Sequence, residues 1–125
     1  MIASKNVSLS GVFNYSYGNE ENGDPLPLIP PFNSTFSIRY SGDNYYLQFE
    51  ELLYAAQFNV SGRNLESPSP GYLISNIRAY YLINKWMSVN GGVENIFDKE
   101  YYNHLDWLNI PQEGRNFYCD IRINF

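Results

Sequence analysis

Apolar and polar residues alternate with a period of two through most of this chain, and this pattern restricts it to β-structure. Successive side chains of a strand point to opposite faces of a sheet, so each segment would have one apolar and one polar face. In the last segment, for example, Phe117, Cys119 and Ile121 alternate with Tyr118 and Asp120. The segments predicted as strands run from about Asn6 to Tyr17, Phe32 to Tyr40, Tyr45 to Ala55, Gly71 to Ile83, Met87 to Glu94 and Arg115 to Phe125.

The links between these segments alternate between tight and long. Tight turns are expected at 41–44 and 84–86, whereas the links at 18–31, 57–70 and 97–114 are long. Short turns at one end and long loops at the other are typical of up-and-down sheets in an outer membrane, and compact soluble domains rarely need three loops of this length. We therefore predict an all-β fold, an antiparallel up-and-down meander of about six strands.

Turn length also predicts the register of the two hairpins, since each turn fixes which residues face each other. A four-residue turn in the first hairpin and a three-residue turn in the second keep apolar residues on one face. The predicted pairs are Tyr40 with Tyr45, Ile38 with Leu47 and Phe36 with Phe49 in the first hairpin, and Ile83 with Met87, Tyr81 with Val89 and Ile77 with Val93 in the second.

Glu51 is the exception to the apolar face. In this register it lies opposite Ser34, among apolar neighbours. We expect it to lie near the lipid headgroups or to be redirected by a β-bulge.

Composition narrows the classes of partner. Charged residues make up 17% of the chain and the net charge is −5, so no basic stripe exists to neutralise nucleic-acid phosphates. Aromatic residues reach 18%, and they concentrate near the ends of the predicted strands as in the girdles of membrane barrels. The predicted girdle residues are Tyr40, Tyr45 and Trp86 at the turns and Tyr15, Tyr17, Tyr72 and Tyr102 near the loops.

The start of the chain and its strand number predict a piece of a longer protein. No apolar leader follows Met1, and no run of 18 apolar residues could form a transmembrane helix. Six strands are fewer than the eight of the smallest membrane barrels, and open edges are not tolerated in lipid. We expect the leader and the earlier strands to be absent from this sequence.

The end of the chain carries a recognisable motif. Gly92-Val93-Glu94-Asn95-Ile96-Phe97-Asp98-Lys99, then Tyr101, then Gly114-Arg115-Asn116-Phe117-Tyr118 and the terminal Phe125 resemble the closing signature of TonB-dependent outer-membrane receptors. Ile29-Pro30-Pro31 and Gly71-Tyr72 also fit the last strands of that family. The motif residues proper are Glu94, Asn95, Phe97, Asp98, Tyr101, Gly114, Arg115 and Phe125.

The resemblance implies that residues 1–125 are the C-terminal part of a 22-stranded transmembrane barrel with a plugged lumen, in a bacterial outer membrane. It implies active uptake of a scarce small-molecule ligand: a siderophore, cobalamin, a metal complex or a glycan. The expected partners are outer-membrane lipid, the remaining strands, the plug, and the TonB complex acting through the plug, which this sequence lacks. It implies no enzyme and no cofactor.

Candidate functional residues fall into two groups. His104, Asp106 and Trp107 lie in the last long loop, where recognition residues of barrels are commonly found, and they are predicted to contact ligand. Two potential metal ligands in one loop are too few to define a metal site. The residues predicted to line the lumen are Arg39, Arg78, Glu94, Asp120 and Arg122, either paired within the wall or in contact with the plug.

Two further expectations concern side-chain neighbours and loop charge. Arg39 should lie beside Tyr46, and Arg78 diagonal to Glu94. The acidic residues Glu20, Glu21 and Asp24 of the first loop are predicted to form a solvated patch rather than a cation site.

Two other functions fit the same pattern of strands. The chain could be a non-transport β-sheet binding module, or a small outer-membrane barrel. Catalysis is not expected, because His104 is the single histidine and no nucleophile or acid accompanies it in a recognisable arrangement. The single cysteine, Cys119, excludes an intrachain disulfide.

Overall fold

The computed structural model describes residues 6–64, 66–106, 108 and 110–125, and the strands in this part of the chain form a single antiparallel sheet in sequence order. A 3-10 helix, Gly62–Asn64, lies in the link between the third and fourth strands. The six-stranded up-and-down meander is therefore confirmed. The strands are β1 (Asn6–Asn14), β2 (Asn33–Ser41), β3 (Tyr45–Tyr54), β4 (Tyr72–Asn84), β5 (Met87–Glu94) and β6 (Asn116–Ile123).

Strand β1 is shorter than the alternation predicts. It ends at Asn14, opposite Asn33, although the pattern continues to Tyr17. If the ladder continued beyond Asn14, it would reach Pro31 on the side of β2, and Pro31 has no N–H to donate. Strand β6 also stops short of Phe125.

The sheet exposes apolar residues and buries polar ones. Leu9 is 76% exposed and Ile121 is 67% exposed, whereas among the described aliphatic and aromatic residues of the strands Ile74 alone is buried. This distribution is the reverse of that in a soluble domain. What we call the apolar face carries Leu9, Phe13, Phe36, Ile38, Leu47, Phe49, Ile77, Tyr81, Val89, Ile121 and Ile123. The opposite side, the polar face, carries Arg39, Gln48, Glu50, Asn76, Arg78, Tyr80, Asn90 and Asp120.

The predicted register of the first hairpin is wrong by two residues, because Tyr40 lies opposite Leu47 and not opposite Tyr45. The prediction assumed a four-residue turn. Instead, Gly42 donates its backbone N–H to the carbonyl of Tyr45 at 2.9 Å, which leaves only residues 43–44 in the turn. A shift of two residues keeps every side chain on its predicted face. The other pairs move likewise: Ile38 lies opposite Phe49, and Phe36 opposite Glu51.

The predicted register of the second hairpin holds through the body of its strands, where Tyr81 lies opposite Val89. At the turn the prediction is wrong, because Met87 lies opposite Asn84 and not opposite Ile83. The Asn84 side-chain oxygen accepts the backbone N–H of Met87 at 3.0 Å, and a β-bulge accompanies this capping interaction.

Glu51 lies on the apolar face, but its neighbours differ from those predicted. It lies opposite Phe36 and Ser75, not opposite Ser34. No bulge occurs at this point of β3, because the register runs without a shift on both sides. The Ser75 hydroxyl donates a hydrogen bond to the Glu51 carboxylate at 3.3 Å. An outward-facing carboxylate therefore has one hydroxyl partner among apolar neighbours.

Aromatic residues mark the turn end of the sheet, where Tyr40 and Tyr45 lie with ring centroids 6.1 Å apart and Trp86 is exposed. The placement of Tyr72 in a girdle at the loop end is wrong. Tyr72 belongs to the polar face, where it stacks on Tyr54 with ring centroids 4.7 Å apart. The parity of its position in β4 places it there.

The three long loops, 15–32, 55–71 and 95–115, lie at one end of the sheet, and the two tight turns lie at the other. Strands β1 and β6 are the edges and, within the described residues, each is paired along one side only. No helix in the described part of the chain is long and apolar enough to cross a membrane.

Candidate functional site

The first and second long loops are held together by polar side chains. Glu66 accepts the backbone N–H groups of Leu28 and Ser61, the latter at 2.8 Å. Gln57 donates to the carbonyl of Ile29 at 2.6 Å. The bonds of Glu66 to Leu28 and of Gln57 to Ile29 link residues 28 or more positions apart, so the two loops form one layer.

Part of the acidic patch in the first loop has a cationic partner. Arg63 of the second loop lies 3.5 Å from Glu20 and 3.2 Å from Asp24. The Arg63 side chain is 67% exposed, so these ion pairs contribute little to stability. The two carboxylates therefore contact the neighbouring loop instead of forming an open cation site.

Asn95, at the end of β5, joins the two ends of the third long loop. It is 3% exposed and has a φ of 49°, a conformation that asparagine tolerates better than most residues. Its side chain donates to the carbonyls of Lys99 and Glu113 at 2.8 and 3.3 Å and accepts the N–H of Lys99 at 2.8 Å. Its backbone N–H donates to Asn76 at 2.9 Å. Only an amide offers both the donors and the acceptor that this position uses.

Asp98 and Gly114 also help to close the same loop. Asp98, with a φ of 54°, accepts the backbone N–H of Arg115 at 2.8 Å. A Cβ on Gly114 would lie 2.7 Å from the Asp98 carboxylate, so glycine is needed for this close approach. We call Asn95, Asp98, Gly114 and Arg115 the loop clasp. These four residues belong to the predicted terminal motif, and their contacts explain why they are needed there.

Three tyrosines and a histidine pack together on the polar face at the loop end. The ring centroid of Tyr72 lies 4.7 Å from those of Tyr54 and Tyr101 and 5.4 Å from that of His104. His104 Nδ1 also hydrogen-bonds to the Ser69 hydroxyl. This tyrosine stack holds the third loop against β3 and β4.

His104 is packed as part of this wall. Burial lowers the pKa of its imidazole, and the backbone of Ala55 offsets part of that effect. Its Nε2 is buried and, among the described residues, has no hydrogen-bond partner. Nowhere in the described part of the chain do three or more potential metal ligands come together.

Asp106 has a separate, local role. Its two carboxylate oxygens accept the backbone N–H groups of Leu108 and Ile110, at 3.0 and 3.2 Å. Trp107, predicted with His104 and Asp106 as a ligand contact, lies outside the described residues. The contacts of His104 and Asp106 are made with different parts of the protein, so the structure shows no shared site for the two.

A cavity of about 240 Å³ lies between the polar face and the third loop. Two carboxylates, Glu94 and Glu113, contribute to its lining, and no lysine or arginine does. Burial raises the pKa of Tyr101, and the negative charges of Glu113 and Glu94 raise it further. The residues that line the cavity are Leu52, Tyr54, Tyr72, Ile74, Asn76, Glu94, Asn95, Tyr101, Asn103, Gln112, Glu113, Gly114 and Asn116.

Below the cavity, polar side chains form a continuous row across β2, β3 and β4. The Arg39 guanidinium donates twice to the Gln48 oxygen, at 2.9 and 2.6 Å, and lies 4.4 Å from the centre of the Tyr46 ring as predicted. Gln48 donates to Glu50 at 3.4 Å, and Arg78 binds Glu50 at 3.1 Å. Arg39 and Arg78 are therefore both held by side chains of the wall, Arg39 by Gln48 and Arg78 by Glu50.

The other predicted wall residues lie on the same face. Arg78 is diagonal to Glu94, as predicted, but its ion pair is with Glu50. Asp120 lies opposite Asn90, which donates to it at 3.5 Å, and Arg122 is exposed on β6. Phe125, the last motif residue, is fully exposed.

Sequence reasoning missed Gln48, Glu50, Asn76 and Tyr54, which complete the row and the stack. Alternation could have found them, because they share the parity of Arg78 and its neighbours on their own strands. The prediction of lumen-facing residues considered charged side chains, which left out the neutral Gln48 and Asn76 and the aromatic Tyr54. Glu50 is charged and has the same parity, and it was overlooked.

No protein-family model and no curated protein sequence matches the chain. Solved structures do match. The chain aligns over 96% of its length with the copper transporter OprC, at 21% identity and a TM-score of 0.89. It aligns over 95% with the ferric-catecholate import receptor Fiu from E. coli K12, at 19% identity and a TM-score of 0.68. A mutant of the ferric enterobactin receptor PfeA from Pseudomonas aeruginosa also matches over 95%, at 23% identity and a TM-score of 0.74.

These proteins are TonB-dependent outer-membrane receptors. The chain has the fold of a TonB-dependent receptor barrel wall. It spans 22%, 19% and 20% of the three matched structures, so it corresponds to about a fifth of such a receptor. The resemblance predicted from the terminal motif is confirmed at the level of fold.

Proposed function

We propose that the chain is the closing, C-terminal part of the barrel wall of a TonB-dependent receptor that takes up a scarce ligand across a bacterial outer membrane. The observation that carries this proposal is the exposed apolar face opposite a polar face on which Arg39 and Arg78 are bound by Gln48 and Glu50. Such a sheet suits lipid on one side and a water-filled or plugged lumen on the other. The fold likeness to an outer-membrane transporter and two import receptors supports it.

In this proposal each surface has its own partner. The edges β1 and β6 pair with neighbouring strands of the wall, since lipid does not tolerate unpaired backbone groups. The plug lies against the polar face, and the TonB complex acts through the plug. The long loops face the outside of the cell and contact the ligand, which belongs to one of four classes: a siderophore, cobalamin, a metal complex or a glycan.

The orientation of the sheet in the membrane can be tested by labelling single cysteines in intact cells that produce the whole protein. Cys119→Ser serves as the background. Glu21→Cys and Leu105→Cys probe the long loops, and Asp43→Cys and Lys85→Cys probe the tight turns. A membrane-impermeant maleimide should label the loop positions in intact cells and the turn positions only after the outer membrane is permeabilised. Equal labelling of both ends in intact cells would contradict the proposal.

A further inference from the structure

We infer that the cavity between the polar face and the third loop is a binding site for a polyhydroxylated group without negative charge, such as one saccharide ring. The inference deepens the proposed function and depends on it in one respect, that the third loop faces the outside of the cell. It names the class of ligand that the loop end of this wall would recognise.

The lining of the cavity combines groups that only accept hydrogen bonds with groups that can donate or accept them. Glu94 and Glu113 contribute carboxylates that, within the described residues, make no hydrogen bond or ion pair. Carboxylates only accept hydrogen bonds, so a ligand group placed against them must donate hydrogen bonds. The lining amide of Asn116 and the hydroxyl of Tyr101 can donate or accept. Vicinal hydroxyl groups, each of which both donates and accepts, match this mixture.

The charges that line the cavity disfavour a ligand group with negative charge. No cationic side chain lines the cavity, and Arg78 on the sheet nearby is paired with Glu50 at 3.1 Å. Because Glu94 and Glu113 both line the cavity, a ligand group with a negative charge would be repelled there. Phosphates, carboxylates and catecholates are therefore poor occupants, whereas neutral or cationic groups are not repelled.

The packing of the aromatic rings at the cavity restricts the ligand further. Tyr54 and Tyr101 each pack on Tyr72, with ring centroids 4.7 Å away, and His104 packs on Tyr72 as well. Since these three rings surround Tyr72, its ring is not an open face for a quaternary ammonium ion, and the cavity does not have the open rings of an aromatic cage at this position. Uncharged polyols fit better than trimethylated cations.

The size of the cavity and its preformed roof fit a small ligand group. The volume of about 240 Å³ is below the roughly 300–1,000 Å³ of clefts for drug-sized molecules, so the cavity holds one ring of a larger ligand. The roof of the cavity is held in place by the loop clasp, in which Asn95 and Asp98 bond both ends of the loop. A preformed roof reduces the entropy lost on binding.

The test compares probes that share a pyranose ring and differ in charge: methyl glucoside and glucuronate. Ligand-observed NMR would measure their binding to the whole receptor that contains this wall, held in lipid nanodiscs. Methyl glucoside should bind saturably, and glucuronate about tenfold more weakly or worse, because two carboxylates line the cavity. In the variants Glu94→Gln and Glu113→Gln most of this difference should disappear. Glu21→Gln, in the first loop, is the matched control and should leave it unchanged.

A second measurement does not require a bound sugar. With Cys119→Ser as background, Asn103→Cys places a thiol at the cavity. A cationic methanethiosulfonate should modify it faster than an anionic one in outer membranes, and Asp43→Cys at the far turn gives the reference ratio. Equal binding of both sugars, the absence of saturable binding by a chain with native β-structure, or equal modification rates would each overturn the inference. Failure of the loop positions to be labelled in intact cells would instead count against the proposed function.

Discussion

The Asp98 carboxylate accepts the backbone N–H of Arg115 at 2.8 Å, across 17 positions of chain. Together with the bonds of Asn95 to Lys99 and Glu113, this interaction closes the third loop on itself. The residues of the terminal motif that form the loop clasp are thereby explained as loop contacts, because Asn95 and Asp98 satisfy backbone groups of the third loop.

Replacing Gly114 with alanine should loosen this clasp. The new Cβ would lie 2.7 Å from the Asp98 carboxylate, so the bond to Arg115 must lengthen or break. We expect a loss of about 0.5–1.5 kcal/mol and faster hydrogen exchange at the Arg115 amide. Gly62→Ala is the matched control, because nothing lies within 4 Å of its Cβ position. Equal effects of the two substitutions would argue against the clasp.

Adjacent glutamates on β3 should respond oppositely to the same substitution. Glu50→Leu removes the partner of Arg78 and Asn76 on the polar face and should destabilise the protein by about 1–3 kcal/mol. Glu51→Leu removes a carboxylate from the apolar face, where Ser75 is its partner at 3.3 Å, and should be neutral or stabilising in lipid. Urea unfolding in lipid vesicles measures both. A reversed order would show that the two faces are wrongly assigned.

A charge on the apolar face should be costly in a membrane. Phe36→Arg places a guanidinium where Phe36 now packs edge-on against Phe13, with ring centroids 5.2 Å apart. Near the bilayer midplane the cost is about 2–4 kcal/mol, measurable as a lower folding midpoint in lipid vesicles. Ser37→Arg, one residue further on the opposite face, is the control and should cost much less. An unchanged midpoint for Phe36→Arg would contradict the placement in lipid.

The docking of the third loop should depend on pH through His104, the single histidine of the chain. Because burial lowers its pKa below the usual 6.5, the undocked loop binds a proton more readily than the docked one. Docking is therefore fully stable above pH 6.5 and weakens as the pH falls from there towards the lowered pKa. Hydrogen exchange of residues 101–106 at pH 5 and pH 7.5 tests this. In His104→Gln the difference should vanish; if it persists, His104 is not its source.

The strands and their faces could be predicted from the sequence, because alternation with a period of two is a local property. The register of the first hairpin could not, since it depends on whether Gly42 belongs to the turn or to the ladder, and the sequence allows both. An error of two residues left every face correct and moved Glu51 from Ser34 to Phe36 and Ser75.

The candidate site was harder to predict than the sheet. His104 and Asp106 stood out as rare polar residues, yet they make separate contacts within the wall and within their own loop. The cavity is lined by residues from β3, β4, β5, β6 and the third loop. Contacts between residues so far apart in the chain depend on how the loop folds back over the sheet, which periodicity does not encode.

The central claim, that this sheet separates lipid from a polar lumen, is tested most directly by spin-label accessibility along β4. Single labels from Leu73 to Ile83 in the protein in lipid would be scanned with oxygen, which partitions into lipid, and with a water-soluble nickel chelate. We predict strict alternation: odd-numbered positions such as Ile77 accessible to oxygen, and even-numbered positions such as Arg78 accessible to the chelate or protected from both. Absence of alternation, or access of the chelate to both sets of positions, would contradict it.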